Sequence, residues 1–90
     1  MEVTKTLKIK NELGLHARAA AKTVALVKQY KSKLVLKRDS QEVDGSSILS
    51  ILTLACPKGS EIEARIKGED AQEMMESLSN LFEEKFGEKA

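Results

Sequence analysis

Glu61-Ile62-Glu63-Ala64-Arg65-Ile66-Lys67 alternates without a break between charged and apolar residues, and this pattern constrains the fold more than any other stretch of the chain. Successive side chains of a strand point to opposite faces, so Ile62, Ala64 and Ile66 share one face while the charged residues share the other. Such a strand needs cover on one side and water on the other. A sheet built around it is dry on one face only, and any helices have that one face to cover.

The remaining segments fit this demand. Val3, Leu7 and Ile9 fall on one side of a strand whose other side carries Thr4, Thr6 and Lys8, and Leu34 and Leu36 alternate with Lys33, Val35 and Lys37. Asp39-Ser40 supplies turn chemistry before a short strand around Gln41 to Asp44, so a hairpin is expected there. Ala17 to Tyr30 reads as a helix with Ala20, Thr23, Val24, Val27 and Tyr30 on its packing stripe. Gly45-Ser46-Ser47 offers N-cap hydroxyls to a second, short helix from Ile48 to about Ala55, where Pro57 disfavours helical geometry at Cys56. Ile48, Ile51 and Ala55 are its expected core residues, leaving Leu49 over and Leu52 at the margin. Asp70 and Glu73 resemble a capping box ahead of a long helix carrying Met74, Met75, Leu78, Leu81, Phe82 and Phe86, with Gly87 closing it. Methionines at this spacing are read as core. The resulting order is βαββαβα, an α+β open-faced two-layer sandwich whose sheet is mainly antiparallel. Periodicity leaves the order of its strands open.

Composition narrows the function classes. Ninety residues with no repeat or Pro/Gly-rich linker fit a single domain, 1–90. Fifteen basic and fourteen acidic residues leave a net charge of +1, and there are two Phe, one Tyr and no Trp, so the basic stripe and stacking platform of a nucleic-acid binder are missing. Cys56 stands alone, which excludes an internal disulfide and a cysteine-based metal cage; it is expected to be a small buried residue. No stretch approaches the roughly 20 apolar residues of a membrane span. Lys5, Lys8 and Lys10 interrupt the stretch from Met1 to Lys10, which does not fit a secretory signal, so a cytoplasmic location is expected.

The chemistry-bearing stretch is Gly14-Leu15-His16-Ala17-Arg18, which holds the one histidine of the chain. It falls where a loop enters the alanine-rich helix, and the first amides of a helix lack partners and attract anions. Gly14 permits a turn at positive φ, and the Arg18 guanidinium can bind two phosphate oxygens together. These pieces suit a phosphoryl group. The residues equally allow a histidine that does no more than cap a helix.

Two motifs together resemble a known family. Gly14-Leu15-His16-Ala17-Arg18 resembles the active-centre motif of HPr, the histidine-containing phosphocarrier of the bacterial phosphoenolpyruvate-dependent phosphotransferase system. Val43-Asp44-Gly45-Ser46-Ser47-Ile48-Leu49 resembles its serine-bearing motif at the expected separation, and length and element order agree across the chain. The resemblance implies a sheet ordered 1-4-2-3 with three helices on one face. It implies that His16 accepts a phosphoryl group from phosphorylated enzyme I and passes it to enzyme IIA domains in sugar transport, with Arg18 contacting the phosphoryl group. It further implies a phosphoprotein that carries without catalysing, works as a monomer and needs no cofactor or metal. Ser47 matches the serine that an HPr kinase/phosphorylase modifies in many members, and Leu49 and Leu52 match apolar docking positions. Leu15 is expected to join them as an anchor, with Arg18, Lys22 and Lys28 as a cationic rim for acidic partners. Ala19 stands where the family usually has proline, and Gly45-Ser46 replace the usual bulky or basic residues before the serine.

Alternatives stay open at this level. Ser47 reads as a helix N-cap contributing about 1 kcal/mol as well as a regulatory site. Leu49 and Leu52 read as residues covered by a neighbouring loop as well as a docking patch. A regulatory interaction module acting on carbon or nitrogen metabolism would keep the same fold, and an anion-binding domain would need only the helix start and Arg18.

Overall fold

The alternating segment Glu61–Lys67 occupies an interior position of a four-stranded sheet. The computed structural model describes Met1–Ala90 and runs β1 (Glu2–Lys8), α1 (Ala17–Val27), β2 (Lys33–Arg38), β3 (Gln41–Asp44), α2 (Ile48–Leu52), β4 (Glu61–Lys67) and α3 (Ala71–Glu83), followed by a 3-10 turn, Lys85–Gly87. The strands are ordered β1-β4-β2-β3 and every neighbouring pair is antiparallel. Register puts the apolar sets in line: Leu7 lies opposite Ile62, Ile66 lies between Val3 and Leu34, and Leu36 lies between Ala64 and Val43. The helices cover this face. The other face stays open and charged, with Thr4, Arg65 and Val35 side by side across three strands.

Twenty-two buried apolar residues form one cluster. Leu34, Leu36, Ile62, Ala64 and Ile66 from the sheet meet Ala20, Val24, Met74, Leu78 and Phe82 from the helices, all at most 5% exposed. Burying side chains of this size contributes about 1.5–3 kcal/mol each before the entropy of ordering them is counted. Lys5 lies on the helix-covered side of β1 but stays exposed, its ammonium donating to Ser79 Oγ of α3 at 3.1 Å. The Asp39-Ser40 hairpin forms as expected, with Arg38 opposite Gln41 and Asp39 at φ 56°.

Three helix boundaries differ from the sequence reading, each because tertiary contacts claim the residues. α1 ends at Val27 and not at Tyr30, because the Lys31 and Ser32 amides turn away from the helix to donate to the Asp70 carboxylate, both at 2.8 Å. Tyr30 is half-buried and its hydroxyl meets Ser77 Oγ of α3 at 2.5 Å. α2 ends at Leu52, short of Ala55: Ala55 takes a left-handed φ of 49°, which turns Leu54 and Cys56 into the core and leaves Ala55 outside. Arg38 Nη1 donates to the carbonyls of Leu54 and Ala55 at 3.0 and 2.8 Å, satisfying acceptors that no helical amide reaches. Ile48, expected in the core, is 39% exposed.

The third is the end of α3, whose start is placed as expected but capped differently. The Asp70 side chain makes no capping hydrogen bond to its own helix. Its carboxylate is instead occupied by the α1–β2 connection, accepting from the Lys31 and Ser32 amides and the Ser32 hydroxyl. α3 itself stops at Glu83, and Lys85, Phe86 and Gly87 follow at φ 56°, 56° and 79°, so Phe86 reaches the core from a reversed chain and packs on Phe82 with ring centroids 4.8 Å apart.

The Ser32 hydroxyl and then the Lys31 amide hold the Asp70 carboxyl below the usual carboxylate range, against an opposing effect of burial. A depressed carboxylate stabilises the fold above its unfolded-state pKa and loses that contribution as pH falls through the folded-state value. Asp70→Asn is therefore expected to lower the thermal midpoint at neutral pH. The gap to the parent protein should close as the pH is taken below the ordinary carboxylate range, as followed by circular dichroism melts.

Candidate functional site

The loop Asn11–His16 is fixed to the loop that leaves α2. Gly14 adopts φ 69°, and a Cβ added there would lie 2.3 Å from the Cys56 carbonyl oxygen and 2.9 Å from Pro57 Cα. The Leu15 amide donates to that same Cys56 oxygen at 2.9 Å, and buried Asn11 donates from Nδ2 to the Gly14 carbonyl at 2.8 Å. Leu15 is only 4% exposed. It was expected as a surface anchor, and the structure corrects this: the side chain is a core plug that pins the loop, so it offers a partner no surface.

With the loop so held, His16 becomes the N-cap of α1. Its backbone is extended (φ −83°, ψ −176°), its carbonyl accepts the first helical bond from Ala20 N at 2.8 Å, and its Nδ1 accepts from Arg18 N at 3.3 Å. The second nitrogen, Nε2, lies 2.5 Å from Oε2 of Glu88, whose other oxygen accepts from Asn11 Nδ2 at 2.9 Å. The imidazole is 25% exposed and the Glu88 side chain 12%. Burial pushes the Glu88 carboxyl up, but hydrogen bonds from Asn11 and His16, together with the charge of Arg18 and that of the imidazole when it is protonated, outweigh it and hold the group below the usual carboxylate range.

Arg18 is exposed beside this pair. Lys22 is committed: its ammonium donates to the Phe86 carbonyl at 2.5 Å, securing the reversed segment after α3. Arg18, Lys22, Glu88 and Lys89 border an open concavity of about 370 Å³. Ala19 is fully buried and keeps an N–H that proline in its place would lack.

The second motif lies on α2, which packs against α1. Ser47 caps α2 through its Oγ, which accepts from Ser50 N at 3.2 Å, while Asp44 takes the Ser46 amide and hydroxyl at 2.8 and 2.7 Å. Leu49 is 77% exposed and Leu52 half-buried against the core. Leu13, just before the histidine loop, is 68% exposed and was not singled out from the sequence. Glu88 was also missed. A carboxylate after a predicted helix stop is a visible signal, but its meeting with His16 depends on three successive left-handed residues that no local pattern announces. No three His, Cys, Asp or Glu side chains are grouped so as to hold a metal ion.

A family profile described as "PTS HPr component phosphorylation site" matches residues 3–84. The chain belongs to the HPr family. It is 43% identical over 82 residues to the phosphocarrier protein HPr of Xylella fastidiosa, covering 91% of this chain and 92% of that one. The HPr-C-His crystal structure from Thermoanaerobacter tengcongensis superposes with a TM-score of 0.93 at 34% identity, over 98% of this chain and 99% of that one. A multiphosphoryl transfer protein of Haemophilus influenzae is 36% identical over 89 residues, which span 96% of this chain and 18% of that protein. As in the HPr expectation, the sheet runs 1-4-2-3. No helix is long and apolar enough to cross a membrane.

Gly14→Ala is expected to cost about 2–5 kcal/mol, from a left-handed alanine and a clash with backbone that no side-chain rotation relieves. Urea denaturation measures the loss. The histidine loop should be the first region to gain hydrogen-exchange freedom.

Proposed function

We propose that this chain is a phosphocarrier of the phosphoenolpyruvate-dependent phosphotransferase system, with Nδ1 of His16 as the accepting atom. One observation carries the reading: Nδ1 sits at the mouth of α1 as its cap, in a chain whose family is described by a phosphorylation site. Nε2 meets the Glu88 carboxylate, which only accepts, so the ring proton is assigned to Nε2 and the lone pair to Nδ1. That lone pair attacks the phosphorus of a donor. The phosphoryl group then takes the Nδ1 lone pair that now accepts from the Arg18 amide, leaving that N–H to donate to a phosphoryl oxygen, at a helix end worth about 0.3–1 kcal/mol to an exposed anion. Arg18 swings its guanidinium onto the phosphoryl oxygens.

So modest a hold suits a carrier, since tight clamping of the loaded state would oppose release. Imidazole also surrenders a phosphoryl group more readily than a serine hydroxyl would. Phosphorylated enzyme I is the donor and enzyme IIA domains are the acceptors, both in the cytoplasm, and the chain is their substrate and not a catalyst. A partly exposed ring meets their need to bring their own active sites to it. Leu49, with Leu52 at its edge and Leu13 across the histidine loop, supplies the apolar part of the docking face. Arg18 supplies charge complementary to acidic partners, and Lys22 contributes from beneath by holding the Phe86 turn. Ser47 is the site for a kinase/phosphorylase, and its hydroxyl must leave the Ser50 amide before it can be modified.

Incubation with phosphoenolpyruvate and enzyme I is expected to give an acid-labile, alkali-stable phosphate on the parent protein and none on His16→Ala. Arg18→Ala should still be labelled but lose roughly ten- to a hundredfold in transfer rate, the scale of one charge-assisted contact of about 1.5–3 kcal/mol. Labelling that persists without His16 overturns the assignment.

A further inference from the structure

Glu88 is the one carboxylate in contact with the imidazole, and it belongs to a segment built to put it there. Phe86 is fully buried, the Lys22 ammonium holds the Phe86 carbonyl, and the Glu12 amide donates to the Ala90 oxygen at 2.8 Å. Asn11 Nδ2 fixes the second oxygen of Glu88, so its carboxylate faces Nε2 from a set position. The other charged groups around it are Arg18 and Lys22 on α1, Lys89 on its own segment, and Glu12, which is paired with Lys58 at 2.6 Å.

This geometry has a consequence for the charge of a phosphorylated ring, and the point rests on the phosphocarrier reading above. When the Nδ1 lone pair forms the N–P bond, the donor's bond to phosphorus breaks and its electron pair leaves with the donor. Nε2 keeps its proton throughout, so the ring becomes cationic. On transfer out, the N–P electrons return to Nδ1, and a neutral imidazole with the same Nε2 proton is regenerated. If that proton were lost in between, the departing group would be an imidazolate, a far poorer leaving group.

We propose that Glu88 is a positioning residue that keeps the proton on Nε2 of phosphorylated His16, holding the phosphoryl group in a transferable state. The carboxylate does this as the counter-charge of the cationic ring at hydrogen-bond distance, with no contact to phosphorus. An opposite charge this close favours the charged form of its neighbour by about one to three pH units.

The test needs no partner protein. The purified chain is phosphorylated chemically with phosphoramidate, and the ring titration of phosphohistidine is followed by 31P NMR. In Glu88→Gln, which keeps one acceptor oxygen for the Nε2 proton but removes the charge and the second acceptor that Asn11 uses, the midpoint is expected to fall by about one unit or more relative to the parent, and Glu88→Asp should recover part of the shift. Hydrolysis of the phosphohistidine at a pH between the two midpoints should slow in Glu88→Gln. A midpoint unmoved in Glu88→Gln overturns the proposal, whatever Glu88→Ala does, because a structural role alone would leave that titration in place. Failure of the enzyme I reaction with the parent protein would instead strike the phosphocarrier reading, and the chemical experiment separates the two.

Discussion

The close approach of Gly14 to the Cys56–Pro57 backbone is the contact on which the site depends. It locks the loop entering α1 to the loop leaving α2, so the histidine and the exposed face of α2 keep a fixed relation. Buried Leu15 closes the joint from below, and the Asn11 side chain bridges it to Glu88. A residue with any side chain at position 14 would have to push apart two backbones. The site is thereby set by main-chain geometry, while the His16 and Arg18 side chains stay near the surface.

The sheet makes this joint possible. Because β4 is apolar on one face only, both long helices are confined to that side. With β1 and β4 antiparallel, the loops after β1 and before β4 lie at the same end, where Gly59 N donates to the Ile9 carbonyl at 2.7 Å. A one-sided pattern of seven residues thus fixes the layer, and the layer fixes where the loops can meet.

The layer, the element order, the hairpin and the N-cap role of Ser47 were legible because each follows from spacing within a few residues. The place of His16 at the start of α1 was legible for the same reason, and the two motifs together pointed to the family. What escaped was decided by distant partners. Leu15 reads as surface beside a histidine until Cys56 pulls its loop inward. Asp70 reads as a helix cap, yet it serves the end of a different helix, because the amides it satisfies lie 38 and 39 residues away in sequence. Glu88 lies 72 residues from the ring it touches, and only the reversed turn at Phe86 brings it there.

That turn hangs the chemistry of the site on a hydrophobic foothold. Phe86 is the last buried side chain of the segment, and it packs on Phe82 of α3. Its pocket lies in the core, away from any surface a partner would read. Small changes in core packing around the two rings would shift the carboxylate against the imidazole while leaving the docking face as it is. With Glu88 holding the ring proton as proposed, the lifetime of a phosphoryl group on His16 would be set in part by an interior that no partner inspects.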